Sequence, residues 1–142
     1  MSITSEATTV WQGDLFSGAG EVNLDSSSVG HFNVNWRARS EGAAATTTPE
    51  ELIGAAHSSC FAMAFSATLA GFGTPPQSIQ VTAAVTFDPS IPGITGSHLL
   101  VSATVPGLGE EEFQRLAEEA KANCPVSRAL AGIPITIEAE LE

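Results

Sequence analysis

Between Gly54 and Gly71 the chain carries no charged side chain. Helix signals frame this stretch. Thr48 is placed to cap an N-terminus, Pro49 sits at the first helical position, and Glu51 follows three residues after the cap. Gly71 and Gly73 with Pro75-Pro76 end the pattern. A helix near 49–71 spans roughly 34 Å at 1.5 Å per residue, about the width of a small domain. A helix that is apolar all round has to be buried all round. A chain of 142 residues can hardly wrap it, so a second copy is expected to cover one side. Homodimer is therefore the expected state; the alternative is a monomer with an exposed small-residue face.

The rest of the chain reads as strands and shorter helices. Residues 8–15 and 20–25 form a strand pair joined through Ser17-Gly18-Ala19-Gly20. A third strand alternates, with Phe32, Val34, Trp36 and Ala38 on one face and Asn33, Asn35, Arg37 and Arg39 on the other. A small-residue loop, Glu41 to Thr47, leads to the long helix. Strands follow at 79–87 and 98–105. A helix at 110–123 carries Phe113, Leu116, Ala117 and Ala120 as its apolar stripe, which Cys124 extends. Pro125 opens a short helix to about 131, and a last strand over 135–142 points Ile135, Ile137, Ala139 and Leu141 inward and Thr136, Glu138, Glu140 and Glu142 outward. The order βββ-α-ββ-αα-β is an α+β pattern, expected as one domain over 1–142.

Composition narrows the function. Hydrophobic residues make up 43%, which excludes a disordered chain. Sixteen Asp and Glu against five Lys and Arg give a net charge of −11, so neither nucleic acid nor an anionic membrane is an expected partner. No apolar run is expected to reach transmembrane length, and Met1 to Thr9 lacks the basic and apolar regions of a signal peptide, so a soluble cytoplasmic protein is expected.

Two cysteines, Cys60 and Cys124, are open to redox chemistry or to plain packing. A reactive thiolate needs a positive neighbour. Only Arg37, Arg39, Arg115, Lys121 and Arg128 are available. Arg37 and Arg39 share one strand face and also read as solvated positions, while Glu50 reads as a partner for a buried arginine or as a carboxylate favouring the helix dipole. His57, three residues before Cys60, reads as a base or as a polar residue at an interface. His31, His57 and His98 show no zinc-ligand spacing, and no metal or cofactor is expected. No phosphate loop, nucleophile elbow or dinucleotide fingerprint is present.

The segment Pro49-Glu50-Glu51-Leu52-Ile53-Gly54-Ala55-Ala56-His57-Ser58-Ser59-Cys60-Phe61-Ala62-Met63-Ala64 resembles the first cysteine motif of the OsmC/Ohr family of osmotically inducible and organic hydroperoxide resistance proteins. Cys124-Pro125-Val126-Ser127-Arg128-Ala129-Leu130 resembles its second. The likeness runs from Trp11-Gln12-Gly13-Asp14 to the last strand. It implies an OsmC-like fold, an intertwined homodimer with buried central helices, and a thiol peroxidase reducing organic hydroperoxides in oxidative or osmotic stress. On this reading Cys60 is the peroxidatic cysteine and passes through a sulfenic acid. Cys124 resolves it as a Cys60–Cys124 disulfide, and an external dithiol, in the family a lipoylated protein, reduces that. The family's arginine–glutamate pair falls on Arg39 and Glu50, because Arg39-Ser40-Glu41-Gly42 fits its Arg-x-Glu-Gly segment. The glycine turn after the first strand has no basic residue, which implies the OsmC branch.

Ten residues separate Glu50 from Cys60, roughly 15 Å along a straight helix. A shared site therefore leads us to expect a break near Gly54, with both subunits contributing. An apolar cleft built from Phe61, Met63 and Phe65 is expected to favour organic peroxides. The competing functions are a non-enzymatic dimeric stress or binding protein with a structural cysteine pair, and a metal-dependent enzyme.

Overall fold

The computed structural model describes residues 1–42 and 44–142; the loop expected over Glu41 to Thr47 includes Ala43, which lies outside the described residues. The chain forms two compact units, Met1–Leu52 and Ile53–Glu142.

In the first unit, strands β1 (Thr8–Gln12), β2 (Ala19–Asn23) and β3 (His31–Val34) make an antiparallel sheet in that order. Strand β1 stops earlier than its sequence pattern because Asp14 starts a turn. Its carboxylate accepts from the Phe16 and Ser17 N–H groups at 2.8 and 2.9 Å and from the Ser17 hydroxyl at 2.6 Å. The bonds from Ser17, hydroxyl first, hold the Asp14 carboxyl below its ordinary range. Gly18 closes the turn, where a Cβ would lie 2.3 Å from the Asp14 carbonyl oxygen.

The third strand also ends early. Beyond Val34 the chain turns into helix α1 (Trp36–Glu41), so Trp36, Arg37, Ala38 and Arg39 are helical and not strand residues. Asn35 caps it, its side-chain oxygen accepting from the Ala38 N–H at 2.8 Å. Gly42, at φ +80°, closes the other end. The helix separates the two arginines, since residues two apart lie roughly 200° around a 3.6-residue helix. Arg37 faces solvent and pairs with Glu41 at 3.3 Å, whereas Ala38 is buried.

The second unit holds the sheet β4 (Ser78–Asp88), β5 (Gly93–Thr104) and β6 (Ile135–Leu141), with β5 central. Strands β4 and β5 form a hairpin that pairs down to Asp88 and Gly93, so β5 begins before the expected position 98. Strand β6 runs parallel to β5, pairing Leu99 with Ile137 and Val101 with Ala139. Helices α3 (Glu110–Asn123) and α4 (Pro125–Ala129) supply the crossover that a parallel pair requires.

Helix α2 (Pro49–Phe72) is continuous. Thr48 Oγ1 accepts from the Glu51 N–H at 3.0 Å, as its sequence indicates. At the other end Gly73 adopts φ +98°, with its N–H on Ala70 O and the Thr74 N–H on Leu69 O, both at 3.0 Å, a Schellman closure. The break expected at Gly54 does not occur. Glycine is needed there for a different reason: a Cβ would lie 2.9 Å from the Ala83 carbonyl oxygen, so its absence lets α2 pack close on β4.

One face of α2, through His57, Phe61, Phe65 and Leu69, is fully buried. It meets Leu99, Val101 and Ala103 of β5 and the stripe Phe113, Leu116, Ala117, Ala120 and Cys124. Phe65 links the layers, its ring 5.5 Å from Phe61 and 5.4 Å from Phe113. Contrary to the expectation that no apolar run reaches transmembrane length, α2 is long and apolar enough to cross a membrane by length and composition. Its buried face belongs to a packed protein core, which is how such a helix also arises in a globular fold. Phe61 and Phe65 are spent in this core and line no cleft; Met63 alone of the three expected cleft residues is exposed, at 68%.

Candidate thiol site

The two cysteines come together in the second unit. Cys60 projects from α2 and is half-buried; Cys124 is fully buried, and both are free thiols. Cys124 stands at a junction: its N–H closes α3 on Ala120 O at 2.9 Å, and it occupies the N-cap position of α4, with Pro125 next. An N-cap side chain faces the unpaired N–H groups of the first helical turn. The sulfur makes no side-chain cap hydrogen bond, but the Ser127 N–H and hydroxyl and the Val126 N–H lie close enough to act on it.

These neighbours divide the pair. Burial pushes the Cys60 thiol up; the Val126 N–H opposes this, and the adjacent Cys124 adds to it. Burial also acts to raise Cys124, yet the Ser127 N–H and hydroxyl, with Cys60 and Val126, outweigh it, and Cys124 lies below the ordinary thiol value. Within this unit, then, the donors favour Cys124 as the thiolate. A thiolate at Cys60 would need a cation beyond these donors.

His57 lies behind the cysteines. It is fully buried, with Nδ1 2.7 Å from Ser97 Oγ and Nε2 2.8 Å from Ser127 Oγ. Burial holds its imidazole below the ordinary 6.5, so the ring is neutral at pH 7. The sequence points to His57 but not to Ser97 or Ser127. A signal for Ser97 exists: it is in phase with Leu99, Val101 and Ala103 on the core-facing side of β5, where a polar residue needs a buried partner.

The first unit contains the second cluster. Arg39 donates from Nε and Nη2 to Glu50 Oε1 at 3.0 and 2.8 Å. The Glu50 side chain is 7% exposed and that of Arg39 31%, so this pair is held, unlike the solvated Arg37–Glu41 pair. Beside Arg39 opens a cavity of about 310 Å³, lined by Trp11, Leu15, Val22, Trp36 and Leu52 among others. Among the described residues, no three His, Cys, Asp or Glu side chains gather as a metal site requires.

The model of the OsmC-like protein family matches residues 41–138. The chain is 38% identical to Peroxiredoxin OsmC of Escherichia coli strain K12, covering 100% of this chain and 99% of that protein. Among solved structures it resembles an organic hydroperoxide resistance protein from Elizabethkingia anophelis, at 28% identity and a TM-score of 0.71, over 100% of this chain and 97% of the other. It shares its fold with the organic hydroperoxide resistance protein OhrB of Bacillus subtilis, at 24% identity and a TM-score of 0.66, over 99% and 98%. A family model matched over most of the chain, together with a full-length relative, settles its membership: the chain belongs to the OsmC-like protein family.

Proposed function

We propose that the protein is a thiol-dependent peroxidase that reduces organic hydroperoxides. The observation that carries this reading is the convergence of Cys60 and Cys124, two free thiols close enough to shift one another, from α2 and the start of α4. Relatives named peroxiredoxin and organic hydroperoxide resistance protein support it.

The Cys60 thiolate attacks the terminal peroxide oxygen. A sulfur–oxygen bond forms and the O–O bond breaks; the terminal OH stays on sulfur as the Cys60 sulfenic acid, and the alkoxide leaves as the alcohol, taking the proton that Cys60 released on ionising. The Cys124 sulfur then attacks the Cys60 sulfur; the disulfide forms and the oxygen departs as water. An external dithiol restores both thiols and becomes a disulfide itself. Because burial pushes the Cys60 thiol up, the first step requires a guanidinium, and we assign Arg39, oriented by Glu50. The cavity beside Arg39 would take the apolar part of the peroxide. The working molecule is a homodimer, supported by the exposed, uncharged outer face of α2 at Ala56, Ser59, Met63, Ala67 and Ala70.

Turnover of cumene hydroperoxide with dihydrolipoamide as reductant tests the roles. Cys60→Ser is expected to abolish peroxide consumption. Cys124→Ser is expected to consume about one equivalent per chain and then stall. Turnover that survives Cys60→Ser would overturn the reading, and a wild-type protein inert toward all peroxides would leave the cysteines as packing.

A further inference from the structure

The peroxidase reading uses two thiols and an ion pair but leaves unexplained a fully buried histidine with a serine on each ring nitrogen. Burying three polar side chains is costly unless they are fully paired. His57 from α2, Ser97 from β5 and Ser127 from α4 satisfy one another at 2.7 and 2.8 Å, and every member is at most 5% exposed. A purely structural solution at this place would be an apolar side chain, like the Phe61, Phe65 and Leu69 that continue the same helical face.

One tautomer of His57 gives the arrangement a direction. With its proton on Nε2, His57 donates to Ser127 Oγ, and Ser97 donates its hydroxyl proton to Nδ1. The Ser127 oxygen is then engaged as an acceptor, and its own proton is free to turn toward Cys124, the N-cap residue three positions earlier. The neighbours that hydrogen-bond to the imidazole are both neutral hydroxyls, so nothing in the relay competes for the charge that develops on sulfur.

Resting on the peroxidase reading, we propose that Ser97, His57 and Ser127 form a positioning relay that makes Cys124 the resolving nucleophile. When Cys124 attacks the Cys60 sulfenic acid, the S–S bond forms and the S–O bond breaks. The Cys124 sulfur is oxidised and the Cys60 sulfur reduced, and the thiol proton of Cys124 leaves with the hydroxyl as water. The Ser127 hydroxyl stabilises the thiolate that begins this step. It does so again when the incoming dithiol attacks Cys60 and expels Cys124. The relay touches Cys124 and has no part in the attack of Cys60 on peroxide, so the two half-reactions are expected to respond differently to its loss.

Single-turnover experiments on the reduced full-length protein separate the steps. Loss of the first equivalent of cumene hydroperoxide reports Cys60 oxidation. Loss of free thiols reports disulfide formation, and a sulfenic-acid-specific dione traps the intermediate. Ser127→Ala is expected to leave the first rate within about twofold, slow disulfide formation at least tenfold, and raise dione trapping. It is also expected to move the pH profile of disulfide formation to higher pH. Ser127→Thr, which keeps the hydroxyl, is expected to restore both rate and profile. His57→Gln, whose amide can still donate toward Ser127, is expected to be milder than His57→Leu. If disulfide formation is unchanged in Ser127→Ala, or if both steps slow equally, the relay is overturned while the peroxidase reading stands. If the wild-type protein consumes no peroxide, the peroxidase reading falls and takes the relay with it. Should Ser127→Ala not fold, the alkylation rate of Cys124 against pH in Cys60→Ser, compared with Cys60→Ser carrying Ser127→Thr or Ser97→Ala, decides the question. An unmoved profile in the Ser97→Ala pair overturns the relay.

Discussion

His57 has no solvent to share a charge with, and both of its ring nitrogens are already engaged. Its folded-state value lies below the ordinary 6.5, so between the two values the unfolded chain binds a proton that the folded chain refuses. The sign follows: the stability tied to neutral His57 is fully present above about pH 6.5 and is lost as pH falls below it. Urea unfolding at pH 7.5 and pH 5.0 is expected to show a larger acid loss in wild type than in His57→Gln. The variant is expected to be less stable at both values, by about 1–3 kcal/mol for the buried hydroxyl left with a poorer partner. Identical pH slopes would contradict a neutral, desolvated ring. Asp14 and Asp88, held low by serine hydroxyls, act at lower pH and in both proteins, so the comparison cancels them. At this scale the sequence was partly legible. Cys60 and Cys124 stand out because chemistry of that kind uses few residue types, and the scarcity of cations narrows the thiolate's partner to a few arginines; only the family resemblance points to Arg39 over Arg37, with Glu50 beside it. Ser97 and Ser127 do not stand out, since a serine is ordinary anywhere until a fold buries it.

Along α2, two glycines of the same helix carry opposite expectations. Replacing glycine by alanine inside a helix gains at most about 1 kcal/mol from backbone entropy. At Gly71 the new Cβ meets nothing within 4 Å, so Gly71→Ala is expected to be neutral or stabilising by that amount. At Gly54 the Cβ would sit 2.9 Å from the Ala83 carbonyl oxygen, a backbone atom that cannot swing away. Overpacking of this kind costs about 1–3 kcal/mol, which exceeds the gain, so Gly54→Ala is expected to be destabilising. Denaturant melts of the two variants check this, and a stabilised Gly54→Ala would mean that α2 and β4 are not in close contact. The contrast also explains a misreading. A lone glycine in a helical pattern signals a break or a close approach equally well, and only the neighbouring strand decides. Helix α1 was misread for a related reason. The apolar residues Phe32, Val34, Trp36 and Ala38 keep strand period, but Asn35 and Gly42 are helix-cap residues, and the local caps prevail over the alternation. Long elements with many periods, such as α3 and β6, were legible to within a residue because no single position could overturn them.

For the whole molecule, charge and the long helix pose one problem. Two chains of net charge −11 repel each other, so a dimer needs a contact that is uncharged and large. The outer face of α2 is the place the fold offers: Met63 projects from its middle at 68% exposure, and no charged residue falls between Gly54 and Gly71. The acids gather instead on α3 and at the end of β6, where Arg115 pairs with Glu112 and Glu119 in solvent. Met63→Glu therefore separates the possibilities. If a second copy covers this face, each new carboxylate must leave water without a partner, at a cost of several kcal/mol. Every 1.4 kcal/mol is a tenfold change in affinity, so dissociation is expected to strengthen at least about a hundredfold. Sedimentation at micromolar concentration is expected to give twice the chain mass for wild type and for Met63→Leu, and the single chain for Met63→Glu. If the partner copy supplies the cation that Cys60 needs, peroxide turnover per chain is expected to fall with the dimer. A Met63→Glu protein that stays dimeric would place the interface elsewhere. One that becomes monomeric with full turnover would show that each chain completes its own site.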